Sequence, residues 1–351
     1  MTGISFFWIA FGYILLAEAI ILPISYFISK YIDIFELIED NGKNDNSLKV
    51  MSEQDMSQVT KTAKVMKILG YVAVYAFLIF MAFVVLFPFY WMIISSLKDF
   101  DEYNALVPTL WPKVVHLENY SKALEAANLE RVFINTIFVG VVSTALSLVI
   151  TVLSAFAFAR LEFKGKNALF AGLLATMMIP GELFTITNYQ TVYAFEWNDT
   201  SKYGFTVLIV PFLVSVFYIY LLRQNFLQIP NELYLAAKVD GVSDIKYLWK
   251  VMIPLAFPTI ISITILKMMG AWNTYVWPSL VIKDPDYLLV TNGIRQGNYS
   301  VLDANGQILD GMVNFPLQMA AVAMVSIPLF IVFICFRKYI MKGVSRSGIK
   351  G

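Results

Sequence analysis

Lys267 stands near the middle of an apolar run. Even a lenient insertion scale assigns a lysine there about 2.5 to 3.5 kcal/mol, so its ammonium must face protein or water. Three placements are open to it: contact with a substrate, an ion pair with a carboxylate such as Glu182, or snorkelling of the amine toward the cytoplasm. A few residues on, Trp272, Asn273 and Tyr275 combine flat aromatic faces with hydrogen-bonding groups, the combination that stacks on a pyranose ring and pairs with its hydroxyls. Trp277 belongs either with them or in an interfacial aromatic belt. Pro180-Gly181 beside Glu182, and Pro211, mark points where a membrane helix kinks or unwinds around a cavity. Such residues point to binding and passage of a polar solute.

Bond-making chemistry is not visible. The chain has one histidine, His116, and one cysteine, Cys335, inside an apolar run. Neither a disulfide framework, a zinc site nor a Cys/His dyad can be assembled from them. Paired catalytic carboxylates and a nucleophile elbow are also missing, so no enzyme and no cofactor are expected. The phosphate-binding pattern G-x-x-x-x-G-K-[ST] does not occur: Asn167 follows Gly165-Lys166, and Arg160 occupies the first glycine position. Any ATP-derived energy must therefore come from another subunit.

The elements that carry these residues are membrane helices. Of 351 residues, 58% are hydrophobic and 15% charged, against about 25% charged in globular proteins. The mean hydropathy is +0.67. A net charge of +1 offers no general attraction for nucleic acid. Seven apolar stretches, at 4–29, 68–96, 133–159, 167–190, 204–222, 254–281 and 314–337, have the ~20 residues that cross a ~30 Å hydrocarbon layer. Between the first two lies a polar linker, 30–66, without a core of its own. Eighteen Lys and Arg fall on the side holding that linker, residues 231–258 and the tail 338–351, and seven on the other, which places the former in the cytoplasm. The first span lacks a positive n-region and a good cleavage site, so it reads as an extra anchor or as a helix lying on the surface. The other six form an all-α core domain over residues 67–337.

One stretch, "NELYLAAKVDGVSDIKYLWKVMIPLAFP" at 231–258, breaks the apolar pattern. Asn231 is placed to cap a helix over Glu232 to Asp240, and Gly241 supplies the left-handed residue that closes it. Ser243 can cap a second helix that carries Asp244 in its first turn and runs toward Pro254, where the next span begins. Ala236 and Ala237 give the first helix a shallow patch, flanked by Tyr234 and Leu235. Such a helix suits a groove in a partner, and an ordinary loop packed on the span ends explains the pattern equally well.

The same residues carry a resemblance. Ala236-Ala237, then Asp240-Gly241, then Val251-Met252-Ile253-Pro254 nine residues later resembles the cytoplasmic signature E-A-A-x-x-x-G…I-x-L-P of permease subunits of binding-protein-dependent ABC importers. Further stretches are similar to the carbohydrate-uptake, maltose-type branch, among them "SSLKDFDEYNA" at 95–105, "MMIPGE" at 177–182 and "AWNTYVWPSLVIKDP" at 271–285. The resemblance covers most of residues 70–351 and leaves out the first span and its linker. It implies a multi-pass permease of a bacterial cell (inner) membrane, paired with a second permease and two cytoplasmic ATP-binding subunits and fed by an extracellular or periplasmic sugar-binding protein. The external connections at 97–132 and 282–313 are then the surfaces for that binding protein. The coupling loop at 231–254 implies ATPase-contacting roles for Ala236, Ala237, Asp240, Gly241 and Pro254. Leu235 stands where the family usually has glutamate, and Glu232, one turn earlier, is positioned to replace it. The alternatives are a self-contained secondary transporter using Lys267 and Glu182 for ion coupling, and an integral membrane enzyme.

Overall fold

The computed structural model describes residues 53–302 and 307–345. The expected first span at 4–29, the linker as far as residue 52 and the tail from 346 lie outside them. The chain divides after Pro88 into two compact units. The described part of the first is most of helix α1, Glu53–Ser96, which is apolar from Ile68 onward and has no buried side chain between Ile68 and Pro88. A helix satisfies its own backbone, which is what a segment facing lipid requires. Residues 53–66, expected as linker, are the start of α1, because "EQDMSQVTKTAKVM" contains neither Gly nor Pro and continues directly into the span.

In the second unit, α2 (Glu118–Ala126) leads into α3 (Leu129–Arg160), a 32-residue helix about 48 Å long. Helices α4 (Lys166–Thr176) and α5 (Gly181–Ala194) form a pair bent by 95°. Helix α6 (Thr206–Ile209), prolonged by a 3-10 turn to Phe212, and α7 (Val216–Gln228) form a second pair bent by 46°. Then come α8 (Asn231–Val239), α9 (Asp244–Tyr247), a π turn over Leu248–Met252, and α10 (Ile253–Asn273). After α11 (Val276–Val281) and α12 (Val290–Gln296), strands β1 (Ser300–Leu302) and β2 (Ile308–Val313) make an antiparallel hairpin pairing Ser300 with Val313 and Leu302 with Ile308. The chain ends in α13, Phe315–Ser345.

Among the described residues, four helices are long and apolar enough to cross a membrane, and the two bent pairs raise this to six if each is one span. The fold is thus helical as expected, with one hairpin added. Several segments differ in detail. The segments 167–190 and 204–222 are broken, the first at Met177–Pro180 and the second at Leu213–Ser215, each beside a proline that cannot donate to the helix. The segment 254–281 begins earlier and ends earlier, since Asp244 to Asn273 is one run and the chain turns extended at Thr274. The tail from 338 continues as helix to Ser345.

Helix α3 organises the unit by its buried stripe. Val132, Thr136, Val139, Gly140, Ser143, Ser147, Thr151, Ala155 and Ala159 recur at three- and four-residue spacing, and most are small. Small residues let backbones approach closely, which is how helices associate where lipid removes the usual apolar driving force. Helices α7 and α10 pack on this stripe. Two apolar clusters sit at its opposite ends: one joins Leu129 and Val132 to Trp277, Leu289 and Ala320, the other joins Phe156 to Leu222, Phe226, Tyr247 and Met252.

At the first end, α12 lies against α3. The Asn135 amide donates to Asp286 O at 2.9 Å and Leu288 O at 3.0 Å, and the Thr136 hydroxyl accepts from Val290 N at 2.9 Å. A Cβ at Gly293 would lie 2.7 Å from Val132 Cγ1. Gly293→Ala should therefore destabilise the chain by about 1 to 3 kcal/mol through overpacking. Thermal unfolding of the purified chain in detergent checks this, and the double variant with Val132→Ala should melt higher than the two single losses predict when added.

Candidate functional site

The soluble-looking stretch folds as two short helices and an elbow. Asp240 caps the end of α8, and Gly241 follows with φ +71°. Val242 N donates to Ala237 O at 2.9 Å and Gly241 N to Lys238 O at 3.1 Å, the paired bonds of a Schellman closure. Only glycine takes that backbone conformation without strain. Ser243 caps α9 as expected, its hydroxyl accepting from Lys246 N at 3.4 Å. Asn231 does not cap α8. Pro230 holds that position with an extended backbone, and the Asn231 side chain instead accepts from Arg160 at 3.4 Å.

Across the elbow, Tyr234 Oη donates to Asp244 Oδ1 at 2.8 Å and Lys238 Nζ lies 2.7 Å from the same oxygen. The carboxylate raises the Lys238 pKa above its ordinary value. Lys238 in turn holds the Asp244 carboxyl below its ordinary value, so the pair's contribution is full at neutral pH, is lost as the pH rises through the raised lysine value, and is lost as the pH falls through the lowered aspartate value. The Tyr234 ring meets the buried Tyr247 ring at a centroid distance of 5.2 Å. Tyr234 and Ala237 thus turn inward onto the second cluster. The free face of α8 carries Glu232, Leu235, Ala236 and Val239, at helical spacing, with Leu235 55% and Val239 87% exposed. The expected patch is therefore split: Ala236 and Leu235 face out, Ala237 and Tyr234 do not. Pro254 is exposed at the start of α10, just after the π turn that absorbs its missing donor.

Two arginines tie this module to the spans. Arg160, buried at the end of α3, donates to Phe226 O at 2.9 Å and Ile229 O at 2.5 Å, the last carbonyls of α7, beside its contact with Asn231. Arg223 of α7 donates in return to Phe158 O, in the last turn of α3, at 3.1 Å. Each helix end is closed by the other's guanidinium. In the sequence Arg160 is one of many positive charges at span ends, and nothing in its spacing marks it as a clamp.

The residues expected along a substrate path are separated from one another in role. Lys267 Nζ donates to Phe212 O at 3.1 Å and lies 6.0 Å from the Tyr218 ring, so it serves the break between α6 and α7. It forms no ion pair with Glu182, which is exposed in the first turn of α5. Trp272 is half-buried against Phe133, with centroids 5.6 Å apart. Its indole N–H is buried without a hydrogen-bond partner among the described residues. Asn273 is exposed and donates to Met269 O at 2.9 Å, while Tyr275 lies under Arg295 at 5.5 Å. Trp277 is no belt residue: it is 6% exposed and donates to Val207 O at 3.0 Å. Among the described residues, no group of three or more His, Cys, Asp or Glu is placed to hold a metal.

The chain is similar to known proteins in sequence and in fold. A family profile described as binding-protein-dependent transport system inner membrane component matches residues 147–346. The arabinooligosaccharides transport system permease protein AraQ of Halalkalibacterium halodurans is 28% identical over 275 residues, covering 78% of this chain and 94% of the relative. A probable ABC transporter permease protein of Mycoplasma pneumoniae is 33% identical over 291 residues, covering 81% and 90%. The fold is similar to a chain of the crystal structure of a bacterial ABC transporter involved in the import of the acidic polysaccharide alginate, with a TM-score of 0.64 and 21% identity over 82% of this chain and 98% of that one.

Removing the Arg160 fork should leave the end of α7 with unpaired carbonyls. Arg160→Met is expected to destabilise the purified chain by about 1 to 3 kcal/mol for each carbonyl left without a donor. Arg160→Lys should recover part of the loss, because one ammonium cannot reproduce the fork. Asn231→Ala, which removes only the 3.4 Å contact, should change unfolding little.

Proposed function

The chain belongs to the family of inner membrane components of binding-protein-dependent transport systems, and from that premise we propose that it is one of two permease subunits of an ATP-driven importer of a sugar or oligosaccharide. Its family is one of transport permeases and not of enzymes, and the chain is a multi-pass membrane protein. The relative AraQ, named for arabinooligosaccharide transport, supports the sugar. In this reading residues 231–258 and the C-terminus lie in the cytoplasm of a bacterium, against two ATP-binding subunits. A sugar-binding protein docks on the outer connections. A secondary transporter is not favoured, since this family works with partners that bind solute and ATP.

The observation that carries the proposal is the outward stripe Glu232, Leu235, Ala236 and Val239 on a helix that is itself fastened to the spans. When the ATP-binding subunits close, they would displace α8 as a rigid piece. The Tyr234–Tyr247 contact passes the movement to the start of the α10 run, and Arg160 passes it to α3 and α7. A floppy loop in this place would absorb the motion. The Schellman closure and the Asp244 bonds remove that freedom.

The test is purification of the tagged chain from its native membrane with its companions, followed by ATP-dependent uptake in vesicles. Uptake by this chain alone would overturn the proposal. Ala236→Arg, at an exposed position, should leave thermal unfolding of the chain within about 0.5 kcal/mol while abolishing ATP-dependent uptake. Lys267→Met should lower uptake of neutral and acidic oligosaccharides by the same factor, because the amine serves a backbone carbonyl. A selective loss with acidic sugars would instead place the ammonium on the substrate.

A further inference from the structure

The connection after α1 ties some of its polar groups inward. Lys98 donates to Thr109 O and lies 4.6 Å from the Trp91 ring, and the Glu102 carboxylate accepts from the Thr109 hydroxyl at 2.6 Å and from Lys113 N at 3.0 Å, while Asp99, Asp101, Asn104 and Lys113 are exposed. His116 N donates to Leu97 O at 2.9 Å, and the Asn119 amide donates to Ser96 O and Lys98 O. The apolar side chains point the other way. Leu106 is 102% exposed, Val107 78% and Trp111 68%, with Leu110 and Val114 beside them. An exposed apolar cluster of this kind marks an interaction site.

The position of the loop selects the occupant. Tyr90 Oη donates to Leu110 O, so the loop folds back along the end of α1 instead of standing off it. Tyr90 is six residues before the end of that helix, about 9 Å of rise. That setback from the helix end is comparable with the about 5 to 10 Å over which interfacial segments bury their apolar face. Phe89, Tyr90 and Ile93, the neighbouring residues of the span, are exposed and apolar too, so the loop surface continues a surface that faces lipid. Tyr90, Trp91 and Trp111 supply the ring types found at the headgroup level. Lys113, exposed beside Trp111, is placed to reach lipid phosphates.

We propose that residues 105–115 form an interfacial lipid anchor, with Leu106, Val107, Leu110 and Trp111 inserted at the headgroup–acyl boundary and Lys113 paired with phosphate. The anchor fixes the level of the α1 end in the bilayer and narrows the surface left for an external binding protein. It rests on α1 crossing the membrane and not on which solute is carried.

The test uses the full chain with its companion subunits in lipid nanodiscs. In a Cys335→Ser background, Leu106→Cys is labelled with bimane, and Lys122→Cys, exposed on the polar helix α2, serves as the water-facing reference. The Leu106 label should be quenched by phosphatidylcholine brominated at shallow acyl positions and should be several-fold less accessible to aqueous iodide than the Lys122 label. Trp111→Cys gives the same reading should the first variant not assemble. Equal iodide quenching at the two positions overturns the proposal. Protection that arises only on adding the purified binding protein assigns the patch to that protein, and insensitivity to both quenchers assigns it to a neighbouring subunit.

Discussion

Backbone groups inside a bilayer have no water to fall back on, so the carbonyls freed where a membrane helix is interrupted need other donors. At the α4–α5 break those donors are local, Met177 N to Leu174 O and Met178 N to Ala175 O, whereas at the other breaks of the second unit they are side chains from other elements. Phe212 O receives Lys267, Thr274 O receives the Thr291 hydroxyl, Tyr275 O receives the Asn292 amide at 3.4 Å, and the end of α7 receives Arg160. The donors come from helices far away in sequence. Breaking a helix and joining two helices are therefore one event here, and the polar residues that look out of place in apolar stretches hold the packing together.

This explains how a long apolar helix can have distinct ends. Along α3 the middle is lined by Gly140, Ser143, Ser147 and Thr151, which allow close approach but bury little area. The bulky contacts gather at the two clusters at its ends. The cluster near Phe156 includes the inward residues of the α8 elbow, and the cluster near Leu129 includes residues of the connections at 97–132 and 282–313. One rigid helix thus joins the surface assigned to energy input and the surface assigned to solute arrival.

Much of this was legible in the residues. Hydropathy located the membrane helices, Gly241 marked a left-handed closure, and Ser243 marked the second cap. The prolines at 180 and 211 marked the breaks but not their angles, because 95° and 46° depend on what the freed carbonyls find. Asn231 misled: it is a good capping residue, yet Pro230 already fixes the entry and Arg160 claims its side chain. Lys267 left three placements open, and the partner it has in the fold, a carbonyl, carries no sequence signature. Side-chain-to-backbone bonds across distant helices were the part that composition and spacing did not reveal.

The π turn at Leu248–Met252 lies in the continuous run that leads from the elbow into the membrane. A π turn holds one residue more than the α-helix it interrupts. Everything beyond it is rotated by about 100° relative to an uninterrupted helix. The interval between Gly241 and Pro254 consequently acts as an angular setting: deleting a residue there would hardly shorten the connection, but it would turn the α10 face that now meets α3 toward a different neighbour. Loops of membrane proteins generally tolerate changes in length, whereas this segment should tolerate changes of residue type better than any change of length.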